Sequence, residues 1–174
     1  MKLPGGRTSY LVATGVYLDA AVVTVVDMTA RPAGVDATEH WLDVSIDGQY
    51  LVAYEGDLPV YATLVSTARN TPRGLQRIDS KRPHPTLEST EKYSDKNKYH
   101  YEVPWVMGLA GRYALHSAYW HDDFGDNHGN GCVNLAPKDA AYLWDFTEPA
   151  LPPGWSYANA VDEDGGRGTP VLIR

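Results

Sequence analysis

The chain has 174 residues and a formal net charge of −7, with 43% hydrophobic and 21% charged residues. That leaves room for one folded domain with a real core and a short appendage, and two full domains would be cramped. The acidic balance gives no electrostatic footprint for a polyanion, which argues against nucleic acid as a partner.

The most apolar stretch, Tyr10 to Val26, is broken by Asp19 and Thr24 and falls short of a membrane-spanning helix. The start, Met-Lys-Leu-Pro-Gly-Gly, has no apolar run of the kind a signal peptide needs, so the chain reads as cytosolic or as lacking its natural N-terminus. The aromatic residues are lopsided, with 12 Tyr and 5 Trp against 2 Phe. Rings with a polar handle suit sugar- or peptide-binding clefts, and equally the half-wet faces of sheets.

In chain order, residues 10 to 26 read as short strands broken at Thr14-Gly15, and Arg31-Pro-Ala-Gly-Val-Asp36 reads as a linker. A boundary near residue 38 therefore separates an N-terminal β segment, 1–38, from the main domain, 39–174. The run Trp41-Leu-Asp-Val-Ser-Ile46 alternates, Asp47-Gly48 favours a type I′ turn, and Gln49 to Tyr54 returns as a hairpin. A turn at Glu55-Gly-Asp57 adds Pro59 to Ser66 as the third strand of a meander.

Thr71-Pro-Arg-Gly74 punctuates the chain, and Arg77 to His100, nearly devoid of aliphatic residues, reads as a long surface loop. Strand character resumes over Glu102 to Leu109 and Tyr113 to Leu115, delivering His116 at a strand end. Pro137 to about Thr147 reads as the one helix, with Ala140, Ala141, Leu143, Trp144 and Thr147 on one face and no side-chain cap at Ala136. Thr169 to Arg174 supplies a closing strand, so the fold class is mostly β with one short helix.

The only cysteine, Cys132, follows Gly131 and lies 16 positions after His116. A lone thiol is either a small buried hydrophobe beside a glycine turn or a working nucleophile. A strand, a turn-rich loop and a return can bring the His116 imidazole to the sulfur, and a base there is expected to draw the thiol's ionisation below its free value. The amides of Asn130, Gly131 and Cys132 can turn together toward one spot and form an oxyanion hole. His116, His121, Asp122, Asp123, Asp126, His128 and Cys132 could each ligate a metal. Their spacing matches neither His-Glu-x-x-His nor Cys-x-x-Cys, and no metal or cofactor is expected.

These residues resemble the L,D-transpeptidase catalytic domain, or YkuD domain, of bacterial cell-wall enzymes over about residues 40 to 174. His116-Ser-Ala-Tyr-Trp-His-Asp-Asp-Phe-Gly125 is similar to the family's histidine-led stretch. Gly131-Cys132-Val133-Asn134 matches the second half of its Ser-His-Gly-Cys-(Val/Ile)-(Asn/Arg) motif at the same spacing. Thr71-Pro-Arg-Gly74 resembles its Thr-Pro-x-Gly turn, and Val103-Pro-Trp-Val-Met107 the strand before its histidine.

The resemblance implies a β-sandwich or barrel with one helix after the cysteine, and acyl transfer on peptidoglycan stem peptides. Cys132 would form a thioester with release of D-alanine and pass the acyl group to an amine, which could belong to a protein. His116 would move the protons, and the backbone carbonyl of Ser117 would complete the triad. Asn134, Tyr101 and Trp120 would contact substrate, with Tyr99 as the alternative to Tyr101 on a loop bordering the groove. Carbapenems would be covalent inhibitors.

The same resemblance implies export to the periplasm or cell wall, and makes residues 10 to 26 similar to the tail of an SH3-like module. Hydrolysis in place of transfer, and wall binding without catalysis, are the alternative functions. Gly129-Asn130 departs from the motif's Ser-His, and Gly129 is expected to loosen the loop.

Overall fold

The structure, a computed structural model, describes residues 8–88, 100–160 and 168–174, the side chains at 88, 100 and 101 excepted. The first element is a hairpin of β1 (Ser9–Ala13) and β2 (Val16–Asp19). Strand character ends there rather than at Val26. The Asp19 carboxylate accepts the Ala21 N–H at 3.0 Å and starts a short 3-10 turn, Ala20–Val22.

The stretch that follows is fastened across the main sheet. Val26 and Val35 pack with Trp41, Tyr50, Val52 and Tyr54. The N–H groups of Asp27 and Thr29 donate to the hydroxyls of Tyr50 and Tyr54, each at 3.1 Å. Thr29 Oγ1 also donates to the buried Asp43 carboxylate at 2.8 Å.

The meander forms as its alternation predicts, with β3 (His40–Ser45), β4 (Tyr50–Glu55) and β5 (Leu58–Thr67) paired antiparallel. Its first turn differs from the two-residue type I′ expectation. Ser45 pairs with Tyr50, so four residues make the loop, and the positive φ, 52°, falls on Gln49. Side-chain hydrogen bonds explain the choice. Ser45 Oγ accepts the Gly48 N–H at 3.1 Å, while the buried Gln49 amide donates to Ile46 O and accepts the Thr67 N–H.

Beyond β5, Thr71 is buried and its hydroxyl meets Thr67 Oγ1 at 2.6 Å and donates to Ala68 O at 2.7 Å. This knot explains the Thr-Pro-x-Gly punctuation and leads into β6 (Gly74–Arg77). The long surface loop expected from Arg77 is instead partly strand, β7 (Ser80–Arg82) and β8 (Thr86–Glu88).

Lys81 is 1% exposed, because β7 lies between β10 (Val106–Gly108) and β13 (Ala158–Asn159). The Lys81 ammonium donates to Trp144 O and Thr147 O and lies 5.0 Å from the centroid of the Trp144 indole ring. Burial pushes its pKa down to about 8. Strand β8 pairs with β9 (His100–Glu102), and Tyr99 and the Tyr101 side chain lie outside the description.

The remaining elements are β11 (Ala114–Ser117), β12 (Val133–Leu135), α1 (Pro137–Phe146) and β14 (Pro170–Ile173). Ten strands form one curled sheet in the order β13-β7-β10-β11-β12-β5-β4-β3-β14-β6. Strand β5 joins its two halves, pairing with β4 over most of its length and with β12 over its last three residues.

The helix starts at Pro137 with no side-chain cap, and Ala140 and Leu143 enter the main core with Leu42, Val44, Leu115, Val133 and Val171. Asp139 accepts from the hydroxyls of Tyr61 and Thr63, which ties the first turn of α1 to β5. The closing strand β14 is interior, parallel to β3 and antiparallel to β6. It delivers Arg174 to the buried Asp43 carboxylate at 2.8 and 2.9 Å.

Candidate active site

Strands β11 and β12 are parallel neighbours, with Leu115 opposite Val133 and His116 opposite Asn134. Side chains alternate along a strand, so Leu115 and Val133 enter the main core while His116 and Asn134 face the other side. Stepping back one pair puts Cys132 level with Ala114 on that same side, diagonal to His116. Cys132 packs there against a second cluster that contains Val103, Val106, Ala114, Leu87 and Trp120. The parallel register of adjacent strands, rather than loop flexibility, therefore brings His116 and Cys132 to the same face of the sheet.

A cavity of about 270 Å³ opens at this point. Leu87, Val103 and Trp120 form its apolar wall, and His116, His128, Asn130, Cys132 and Asn134 supply its polar groups. Gly129 completes it. Of the residues singled out in the sequence, His116, Cys132, Asn130, Asn134 and Trp120 thus line one cavity. Ser117 points its side chain away, buried, with a hydroxyl that has no partner among the described residues.

The Ser117 backbone carbonyl lies 2.9 Å from His116 Nδ1. A carbonyl only accepts, so Nδ1 carries the proton and Nε2 is left with a free lone pair. Burial lowers the His116 pKa, against the opposing pull of that hydrogen bond, and His121 lowers it further. Burial also pushes the Cys132 thiol up, with a hydrogen bond to the Ala114 backbone and the charge of Arg112 acting against it. The resting pair is therefore neutral thiol and neutral imidazole. This runs against the expectation of a thiol ionising below its free value, because burial disfavours the thiolate more than the Ala114 backbone and Arg112 favour it.

The glycines before the thiol both have positive φ angles. Gly129 has φ +106°, and a β-carbon there would fall 3.0 Å from Asn134 Nδ2. Gly131 has φ +113°, and a β-carbon there would fall 2.6 Å from Tyr113 Cε1. Both backbone angles strain any side chain, so each position favours glycine.

The loop is also pinned to β5. Gly125 N–H donates to Val65 O at 2.9 Å, and Ser66 Oγ donates to the carbonyls of Asp123 and Asp126. His121 and His128 pack with ring centroids 4.5 Å apart, and His128 Nδ1 lies 3.5 Å from Asp123 Oδ2. Beyond the presence of the residues, nothing in the sequence signals this pairing. Among the described residues, no three His, Cys, Asp or Glu side chains are grouped to hold a metal ion.

The same frame recurs in solved structures. An L,D-transpeptidase from Mycobacterium smegmatis is 22% identical with a TM-score of 0.63, over 78% of this chain and 58% of that one. L,D-transpeptidase 3 from Mycobacterium tuberculosis, with a faropenem-derived adduct, is 20% identical with a TM-score of 0.60, over 78% and 60%. The catalytic domain of the Enterococcus faecium L,D-transpeptidase, acylated by ertapenem, is 19% identical with a TM-score of 0.58, over 80% and 100%. The chain thus spans less than two thirds of the two mycobacterial proteins. No curated protein sequence matches it.

At these identities the likeness establishes the fold, a curled sheet with one helix. The family model for the L,D-transpeptidase catalytic domain, YkuD, matches residues 39–173, and the chain belongs to that family.

Proposed function

We propose that the protein is a cysteine-dependent acyl transferase acting on peptidoglycan stem peptides at the cell wall. The observation that carries this reading is the 2.9 Å contact between His116 Nδ1 and Ser117 O, which leaves Nε2 as a base in the cavity that Cys132 lines.

In the proposed reaction the Cys132 sulfur attacks the carbonyl carbon of an L-configured centre as its proton passes to His116 Nε2. The carbonyl π electrons move onto oxygen, and the amides of Asn130, Gly131 and Cys132 stabilise that oxyanion. Collapse breaks the bond to the terminal D-alanine nitrogen, which takes the proton from the imidazolium. An incoming amine then attacks the thioester, gives its proton to Nε2 and expels the sulfur, which recovers its proton. The apolar wall of Leu87, Val103 and Trp120 keeps water from competing with the amine. In this reading Asn134, opposite His116 in the sheet, hydrogen-bonds the bound peptide.

The test is incubation with a tetrapeptide stem muropeptide and a labelled D-amino acid, read by mass spectrometry. Label exchanged into position four, abolished in Cys132→Ala, is the expected result. Tripeptide alone would make the protein a hydrolase, and unchanged muropeptide with folded protein would refute the catalytic reading.

A further inference from the structure

The turn between β10 and β11 presents two residues that the acyl-transfer reading does not use. Leu109 N–H donates to Tyr113 O at 2.8 Å, and Gly111, at φ +79°, closes the turn. Tyr113 is partly buried against the main core, and its ring lies so close under Gly131 that a β-carbon there would fall 2.6 Å from Cε1. On that ring lies Arg112, with Cζ 5.9 Å from the centroid. Arg112 thus lies over the ring that packs against Gly131, the residue before the thiol.

We infer that Arg112 and Tyr113 are positioning residues for the thiol chemistry. The Tyr113 ring holds the Gly131-Cys132 peptide in its left-handed turn, and the Arg112 guanidinium on that ring supplies the positive field felt by the sulfur. The inference deepens the acyl-transfer reading and rests on it for the role of the peptide amides. Its electrostatic half needs only a reactive thiol.

The other groups around Cys132 leave this role open. From β8 and the segment before β10 the neighbours are the apolar Leu87 and Val103. From β11 the titratable neighbour is His116, which burial keeps neutral. From the loop before Cys132 it is His128, whose Nδ1 lies 3.5 Å from the Asp123 carboxylate. The charge of Arg112 draws the thiol down against the burial that pushes it up. A unit charge on the order of 10 Å from a thiol, through a medium of effective dielectric about 50, moves its ionisation by about half a pH unit. That is roughly threefold in thiolate.

The experiment is the pH dependence of Cys132 alkylation by iodoacetamide, followed by intact mass at low and high salt, for the parent, Arg112→Met and Arg112→Lys. Arg112→Met should move the profile up by about half a pH unit at low salt, and the gap should close in about 1 M salt, where the Debye length is about 3 Å. Arg112→Lys should track the parent. Superimposed profiles for parent and Arg112→Met at low salt would overturn the electrostatic half, whether or not the protein transfers acyl groups.

Acylation by ertapenem tests the ring. Tyr113→Phe should acylate within about twofold of the parent, and Tyr113→Leu at least tenfold more slowly with its alkylation within about threefold. A Tyr113→Phe rate reduced tenfold would assign the role to the hydroxyl and overturn the stacking argument, even if Tyr113→Leu does not fold. A Tyr113→Leu protein that acylates like the parent would overturn it as well.

Discussion

Replacing Lys81 tests whether long-range packing, rather than local composition, governs the segment after β6. Its side chain is 1% exposed and donates to two carbonyls at the end of α1. A fall in pKa from 10.5 to about 8 corresponds to about 3 kcal/mol against the charged form. Removing the ammonium recovers about that much and leaves two carbonyls without their donor, at about 1–3 kcal/mol each.

Lys81→Met, which keeps the apolar stem, should therefore lie between about 1 kcal/mol more and about 3 kcal/mol less stable than the parent. Lys81→Ala also loses three buried methylenes, about 2 kcal/mol, and leaves a void, so a net loss of about 3 kcal/mol is expected. Urea unfolding measures both. The pH dependence gives a second signature. Below about pH 8 the folded and unfolded chains both hold the Lys81 proton, whereas from there to the ordinary value of 10.5 only the unfolded chain does. Stability of the parent relative to Lys81→Met should thus rise with pH over that window, by up to about 3 kcal/mol. A Lys81→Ala protein within about 0.5 kcal/mol of the parent, or a flat pH comparison, would refute the buried position.

Three further predictions concern the thiol loop and the sheet. Gly129→Ser, which restores the hydroxyl common in the family, should destabilise by about 1–3 kcal/mol in thermal or urea unfolding, because φ +106° strains any side chain and a β-carbon there would crowd the Asn134 amide. With Cys132 raised and His116 lowered, iodoacetamide alkylation should rise only above the ordinary thiol range, and ertapenem acylation should hold its rate down to pH values below the usual histidine range. It should then fall as His116 takes a proton. Asp43→Ala should cost about 3–5 kcal/mol of unfolding free energy, since it strips Arg174 and Thr29 of a carboxylate that is 0% exposed.

What could be read in advance follows from the range of the interactions. The meander was legible because alternation over Trp41–Ile46 and Gln49–Tyr54 is local, and the helix because Pro137 and its apolar face are local too. That His116 and Cys132 share one cavity was legible from spacing and motif. Its support was not, since the parallel register of β11 and β12 is set by the sheet. Lys81 read as solvated because neighbouring polar residues say nothing of β10, β13 and α1 closing around it. The turn at Asp47-Gly48 departs from its local signal for a similar reason, as the buried Gln49 amide reaches across to Thr67. The thiol's ionisation needed the burial of both partners, which sequence spacing does not carry.

The central claim, that Cys132 is an acyl-accepting nucleophile served by His116, is tested most directly by intact-protein mass after exposure to ertapenem. A gain equal to one inhibitor, absent in folded Cys132→Ala and slowed at least a hundredfold in His116→Gln, is the predicted result. Folded parent protein that gains no mass, or a gain that persists in Cys132→Ala, would contradict it.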